Sequence, residues 1–461
     1  MRRAAATPTA LLCAAALMPW AAPAATAGAP TPTSRLAASA VPSARDGQVA
    51  ALASGSAVST VAANARISAV LPPRARSKIL GTRFTMTVWD TESSSYIYTR
   101  RPKKSLRGAS TTKILTAVAV LANLGPDHRF ATTVRAGTTA DEIVLVAGGD
   151  PLLTSADLRT LAADTAAALA AQAEADGTGG PGVGAPEGAS APRRITVRAE
   201  DSLFRGGGIS RGWYSSWVPS QVRRVGAFAR DDRKVSDATA DAGAYFARAL
   251  RRLDVPATYA GEAVVAPDAP TLATFAGHSV SEAVSRALLW SDNDTAEMLF
   301  RQVAVARGTK ASWPGARRSV RATLSELSIP MKRVRIVDGS GLSMQGRLTA
   351  GALTSALNRA LSPEHPELAG LRDMLPVAGR TGTLQADYLR FTSSPSKCAA
   401  GLIQAKTGTL ADAISLAGYA SGADGRTKIF VSIVNGRPTA YSRLTTRQAV
   451  DRAVSSITGC W

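Results

Sequence analysis

The sequence predicts an α/β (α+β) protein: an antiparallel sheet flanked by helices, built from distant parts of one chain and carrying a large inserted module. Three observations predict it. Strand-like alternation occurs near both ends of the 461-residue chain. Helix-periodic segments fill much of the stretch between. A low-complexity run, "ADGTGGPGVGAPEGASAP", splits the region after Asp150. A sheet assembled from both ends of a chain, with something inserted in the middle, is the architecture this order implies.

The elements follow in chain order. Arg2 and Arg3, a short apolar run at 11–20, and the small residues Ala25, Thr26 and Ala27 before Gly28 read as an export signal over 1–27. A lipid anchor at Cys13 is disfavoured, because bulky Leu12 precedes it where a small residue is expected. Residues 28–80 are rich in Ala, Ser, Thr and Pro without clear periodicity, and read as a flexible spacer. "FTMTVWD" alternates as a strand, "TESSS" turns, and "YIYTR" returns. Residues 110–124 form a helix, with Ile114, Leu115, Val118 and Leu121 on one face and Gly125-Pro126 as its stop.

One domain is expected from 81–148 together with 276–461, and the inserted module from 149–275, with a disordered loop near 174–193. "VSEAVSRALLW" and "TAEMLFRQVAVA" read as helices around a polar break, the second capped by Asp294 with Glu297. "LTAGALTSALNRAL" is a helix capped by Thr349. "SLAGYAS" and "KIFVSIVNG" are strands, and a helix near 443–456 closes the chain.

Composition narrows the class. An apolar fraction of 45% suits a folded core. The formal charge of +20 favours polyanions such as anionic wall polymers or a membrane surface, although basic usage also follows a genome's base composition. The runs "RRPKK" and "PRARSK" lack interleaved aromatics, so no nucleic-acid partner is expected. No segment after the leader reaches the roughly 18 consecutive apolar residues of a membrane span, so the protein is expected to be exported and soluble or peripheral. Cys398 and Cys460 remain after the leader and permit one disulfide, which is favoured over two buried thiols.

The chemistry begins by elimination. His128, His278 and His365 sit in no recognisable triad motif, and no G-x-S-x-G elbow occurs. No H-E-x-x-H or clustered cysteine pattern suggests a metal, and no cofactor is expected. A Ser–Lys system is left. In "ASTTK", Ser110 and Lys113 lie one helical turn apart and share a face. The free N–H at the helix start suits an oxyanion, and Lys113 can take the serine proton only when neutral. A second S-x-x-K, Ser394 to Lys397, is rejected because Pro395 interrupts it. "SDN" places Ser291 and Asn293 on a short loop suited to proton relay and grip on an amide, though the same residues also make an ordinary cap turn. In "KTGT", Lys406 and Gly408 point one way along a strand, Thr407 and Thr409 the other, and Gly408 lets a ligand approach the backbone.

Singly these signals are modest. The order S-x-x-K, S-D-N, K-T-G in one exported chain is the motif set of penicillin-binding proteins and class A β-lactamases. The chain resembles the penicillin-interacting serine hydrolases, and more narrowly the class C low-molecular-mass penicillin-binding proteins, the D-alanyl-D-alanine carboxypeptidase/endopeptidase family. The long interval from Ser110 to Ser291 suits that branch, whose extra domains are inserted there; "VDGSGLS" and "WSDNDTAEML" also look like its segments. No E-x-x-L-N follows the S-D-N, unlike class A β-lactamases.

The resemblance implies a penicillin-binding, β-lactamase-like transpeptidase domain acting on peptidoglycan stem peptides and trapped by β-lactam antibiotics. It implies Ser110 as nucleophile, Lys113 as base, Ser291 as proton relay and Asn293 as the holder of the acyl-side amide. It also implies Lys406 as a source of positive potential that depresses the proton affinity of Lys113, with Thr407 and Thr409 binding the substrate carboxylate. The alternatives are a β-lactamase-like esterase and a non-catalytic wall-binding protein of the same fold. The letters "TGTL" occur after both Arg380 and Lys406; the resemblance makes the second copy the catalytic strand and the first a turn without a direct catalytic role.

Overall fold

The computed structural model describes residues 59–175 and 194–461. The expected export signal and most of the expected disordered loop lie outside the described residues. In chain order the elements are α1 (Thr60–Ala75), β1 (Arg83–Asp90), β2 (Ser95–Arg100), α2 (Thr112–Leu124), β3 (Thr132–Ala136), β4 (Glu142–Val146) and α3 (Ser155–Ala175). Then come β5 (Ile195–Glu200), α4 (Ala238–Arg251), β6 (Ala257–Glu262), β7 (Thr271–Phe275), α5 (Val280–Leu289), α6 (Asn293–Ala306) and α7 (Trp313–Glu326). The chain ends with α8 (Ala350–Arg359), β8 (Ile403–Thr409), β9 (Ala413–Ser421), β10 (Thr427–Asn435) and α9 (Arg443–Ser455).

Two five-stranded sheets result. The first runs β2-β1-β10-β9-β8 and is antiparallel throughout, joining strands from both ends of the described chain as expected. Its pleat divides the core. On β10, Ile429, Val431 and Ile433 face α2, α6, α7 and α8, while Phe430 and Val434 face α1 and α9. Helix α2 is buried from Thr112 to Leu121, so it is apolar nearly all round and forms the axis of that layer. The second sheet runs β6-β5-β4-β3-β7, with β4-β5 and β5-β6 parallel and the rest antiparallel. Helices α3 and α4 pack on it through Leu158, Leu161, Phe246 and Leu250.

Two expected borders move. The spacer was placed through residue 80, yet α1 begins at Thr60, capped by the Ser59 side chain. Ala63, Ile67, Leu71 and Ala75 recur every fourth residue and are all buried. The stripe is thin because Ala63 and Ala75 make up half of it, and Pro72-Pro73 inside the helix reads as a breaker. The inserted module was placed after residue 148, yet β3 and β4 already belong to the second sheet. Their short apolar runs pair with β7 and β5, partners too distant in sequence to be read locally.

Cys398 and Cys460 are joined in a disulfide, with Cα atoms 6.1 Å apart. It fastens the segment before β8 to the end of the chain. Among the described residues no helix is long and apolar enough to cross a membrane.

Candidate active site

Ser110 lies in a single 3-10 turn, Ala109–Thr111, that runs directly into α2. Lys113 follows on the first turn of the helix and is 1% exposed. Its Nζ donates to Ser110 Oγ at 3.2 Å, to Asn293 Oδ1 at 2.7 Å and to the Ser340 carbonyl at 3.1 Å. Burial pulls the Lys113 ammonium down to about 8, against the carboxylates of Glu297, Asp292 and Asp338, which favour its charge. Lys406 is fully buried and pushed well below the usual lysine range, by burial first and by the charge of Lys113 second. The dominant cause of the lowered Lys113 value is therefore lost hydration, whereas the resemblance implied Lys406. The Lys406 Nζ donates to the Thr407 carbonyl at 3.0 Å.

The S-D-N segment spans the end of α5 and the start of α6. Ser291 has φ 61° and bends the chain into the cleft. Asp292 is the cap of α6, accepting from the Thr295 amide at 2.8 Å, where Asp294 and Glu297 were expected to serve. Asp294 instead turns inward to accept from the Arg223 amide at 2.6 Å. Asn293 is held from both ends: its Oδ1 receives Lys113 and its Nδ2 donates to the Gln221 carbonyl at 2.9 Å.

A cleft of about 300 Å³ collects Ser110, Ser291, Asn293, Thr407 and Thr409. Thr407 and Thr409 face it from β8, while Lys406 is not among its lining residues, as strand alternation requires. Gly408 lies where β8 passes the nucleophile turn. A Cβ there would sit 2.2 Å from Ser415 Oγ, 2.8 Å from the Gly108 carbonyl and 3.0 Å from the Ser110 amide nitrogen. Only glycine permits that approach.

Several contributors went unread in the sequence. Glu297 is buried on α6 and accepts from the amides of Gly339 and Ser340, both at 2.8 Å. Asp338 accepts from Trp213 Nε1 at 2.7 Å, from the Ser343 amide at 2.6 Å and from the Gly341 amide at 3.1 Å. Burial raises both carboxyl groups. Together they fix the loop whose Ser340 carbonyl holds Lys113. The "VDGSGLS" string was visible, but the inward turn of Glu297 depends on tertiary packing.

Thr383 also lines the cleft, and its hydroxyl meets that of Thr407 at 2.8 Å. The first TGTL copy therefore reaches the site through Thr383, although it was read as a turn alone. Its Arg380 lies against Gly401 and is not among the cleft residues. On the same wall, Arg390 is paired with Asp451 through two hydrogen bonds, of 2.8 and 2.5 Å. Beside it, Arg447 lines the cleft with a buried Nε that has no partner among the described residues. No metal-binding cluster occurs among the described residues.

Chemically, the arrangement offers a hydroxyl beside a buried amine, a second hydroxyl at Ser291, two strand hydroxyls and an arginine around one small cleft. The D-Ala-D-Ala carboxypeptidase 3 (S13) family matches residues 67–172 and 221–456. The chain is 30% identical to Carboxypeptidase DacB of Mycolicibacterium smegmatis over 400 residues, covering 82% of this chain and 80% of that one. It is 27% identical to a D-alanyl-D-alanine carboxypeptidase of an Actinomadura species, covering 79% of this chain and 80% of that one. Among solved structures, penicillin binding protein 4 (dacB) of Haemophilus influenzae superimposes with a TM-score of 0.66 at 18% identity, covering 84% of this chain and 98% of that chain. The same protein complexed with a novel β-lactam gives a TM-score of 0.60 at 19% identity, with the same coverage. The motif order, the shared fold and these matches agree: the chain belongs to the D-Ala-D-Ala carboxypeptidase 3 (S13) family, the class C low-molecular-mass penicillin-binding proteins, and is a serine-type carboxypeptidase.

Proposed function

We propose that the protein is exported and removes the terminal D-alanine from peptidoglycan stem peptides through an acyl-enzyme on Ser110, which β-lactams also acylate. The observation that carries this reading is the buried Lys113 Nζ, 3.2 Å from Ser110 Oγ and shifted down to about 8. A lysine of that value holds a useful neutral fraction near neutral pH. Ser110 Oγ attacks the carbonyl between the two D-alanines, and its proton passes to Lys113. The backbone N–H groups of Ser110 and Thr409 receive the oxyanion. Ser291 passes a proton to the departing amine, and Asn293 holds the amide on the acyl side. Water then hydrolyses the ester.

The Thr407 and Thr409 hydroxyls and the Arg447 guanidinium hold the free carboxylate of the leaving D-alanine. Arg390 is neutralised by Asp451, so Arg447 supplies the cation on that wall. Burial and Lys113 disfavour charge on Lys406 in the free site, so it adds positive potential once a substrate carboxylate favours its charged form. Its charge and that of Lys113 oppose each other, so an incoming carboxylate that favours charge on Lys406 drives Lys113 towards its neutral, basic form.

Intact and peptide mass measurement after incubation with penicillin tests the nucleophile. The expected result is a single adduct on Ser110, with D-alanine release from a stem pentapeptide blocked in step. An adduct on another serine, or none, overturns the assignment.

A further inference from the structure

A cavity of about 690 Å³, larger than the catalytic cleft, lies on the β1–β2 side of the first sheet, whereas β8 and its threonines form the opposite edge. Its aromatic wall is Trp89 and Tyr96, which meet edge to face at 4.8 Å between ring centres. Tyr96 is 43% exposed. Its cations are Lys103, Lys332 and Arg333, and no acidic residue lines it. A second hollow of about 420 Å³ shares Pro102, Lys103 and Arg333 with it and adds Arg101 and Lys104, again without an acidic lining residue. The basic run "RRPKK", which the catalytic reading leaves unused, is thus folded against Lys332 and Arg333 in one continuous groove.

The groove is held in shape by the backbone. The Gly351 amide donates to the Pro102 carbonyl at 3.1 Å, and Ser105 Oγ donates to the Arg333 carbonyl at 2.7 Å. Its chemistry is left unsatisfied. Among the described residues no carboxylate pairs with Lys103, Lys104, Lys332 or Arg333. The Trp89 Nε1 is buried and has no hydrogen-bond partner among the described residues.

We propose that this groove binds an anionic polysaccharide, a glycan bearing phosphate groups along its sugar chain. Aromatic faces accept the apolar faces of sugar rings, and the cations take the phosphates. Two adjoining concave hollows, of about 690 and 420 Å³, fit a chain better than a flat membrane surface. The volume lies within the range of built ligand sites. The groove is remote from the peptide cleft in the sheet order, so its ligand holds the enzyme on a polymer while the cleft remains open.

Three probes test the proposal on the full chain: phosphomannan, which has sugar and phosphate; neutral mannan, which has sugar alone; and polyphosphate, which has charge alone. Phosphomannan is expected to bind most tightly. Lys103→Gln with Lys332→Gln is expected to weaken it at least tenfold. Tyr96→Ala is expected to weaken phosphomannan severalfold and leave polyphosphate unchanged. Melting temperature and penicillin labelling of each variant, both expected to match the parent, show that it is folded. Polyphosphate binding as tightly as phosphomannan, or equal phosphomannan affinity in all variants, overturns the proposal in favour of a diffuse basic surface.

Discussion

Lys113 carries the sharpest expectation at the scale of single residues. Its burial lowers the ammonium to about 8, and only the neutral amine can accept the Ser110 proton. The rate of acylation by penicillin should therefore rise as pH increases through about 8 and then level off. Stopped-flow acylation over a pH series checks this; a rate that falls across that range assigns the base elsewhere. Arg447 bears on substrate choice. Its guanidinium faces the cleft while its neighbour Arg390 is occupied by Asp451. Arg447→Gln should lower kcat/KM for a stem pentapeptide by about 10–100-fold, the cost of losing one or two charge-assisted bonds. Acylation by an ester whose leaving group carries no carboxylate should be nearly unchanged. Equal losses on both substrates indicate a structural role instead.

At the scale of elements, α1 is the part the sequence disclosed least. Its apolar stripe is only Ala63, Ile67, Leu71 and Ala75, half of it alanine and interrupted by Pro72-Pro73. Its burial against Phe84 and Met86 comes from the sheet, not from its own pattern. Ile67→Ala should cost about 2–5 kcal/mol, read from chemical denaturation. A loss below about 0.5 kcal/mol, typical of surface positions, means α1 does not hold the sheet. The strands of the first sheet were legible because each alternates or runs apolar over its own length. The second sheet was less so, since β3 and β4 acquire meaning only from β5 and β7.

The clasp that joins the segments following β4 and β7 of this second sheet is also tertiary. Asp150 accepts from both the backbone N–H of His278, at 3.0 Å, and its Nδ1, at 2.9 Å. That hydrogen bond first, opposed by burial, raises the imidazole above its ordinary value. The imidazolium's contribution to the clasp is fully present below the ordinary histidine value and is lost as pH climbs through the raised one. Amide exchange at 148–152 and 276–279 should therefore accelerate, beyond the intrinsic base catalysis, as pH rises above the ordinary histidine value of about 6.5. Unchanged protection shows that the backbone bond alone suffices.

Across the whole molecule, the motif residues were readable because their chemistry demands particular side chains at fixed spacing, and Ser110, Ser291, Asn293, Thr407 and Thr409 converge on one cleft. The supporting groups were not. Glu297 looked like a capping residue, Thr383 belonged to what was read as a plain turn, and Arg447 sat in an unremarkable terminal helix. Each gains its place from contacts between segments far apart in the chain. Gln221 shows the same at larger scale: the stretch after β5 crosses back to hold Asn293, so part of the inserted region belongs to the catalytic wall.

The Cys398–Cys460 bridge encloses β8, β9, β10 and α9 in one covalent ring spanning 62 residues of sequence. A pull on Trp461 therefore travels through sulfur to residue 398 and bypasses the strand that carries Thr407 and Thr409. Tension applied through an attachment at that end would leave the ring slack while the rest of the chain bears the load. In an optical trap, the oxidised protein should unfold with about 200 Å less contour than the reduced one, the length of chain the ring conceals at roughly 3.3–3.6 Å per residue. Equal contour lengths would mean that the ring is open.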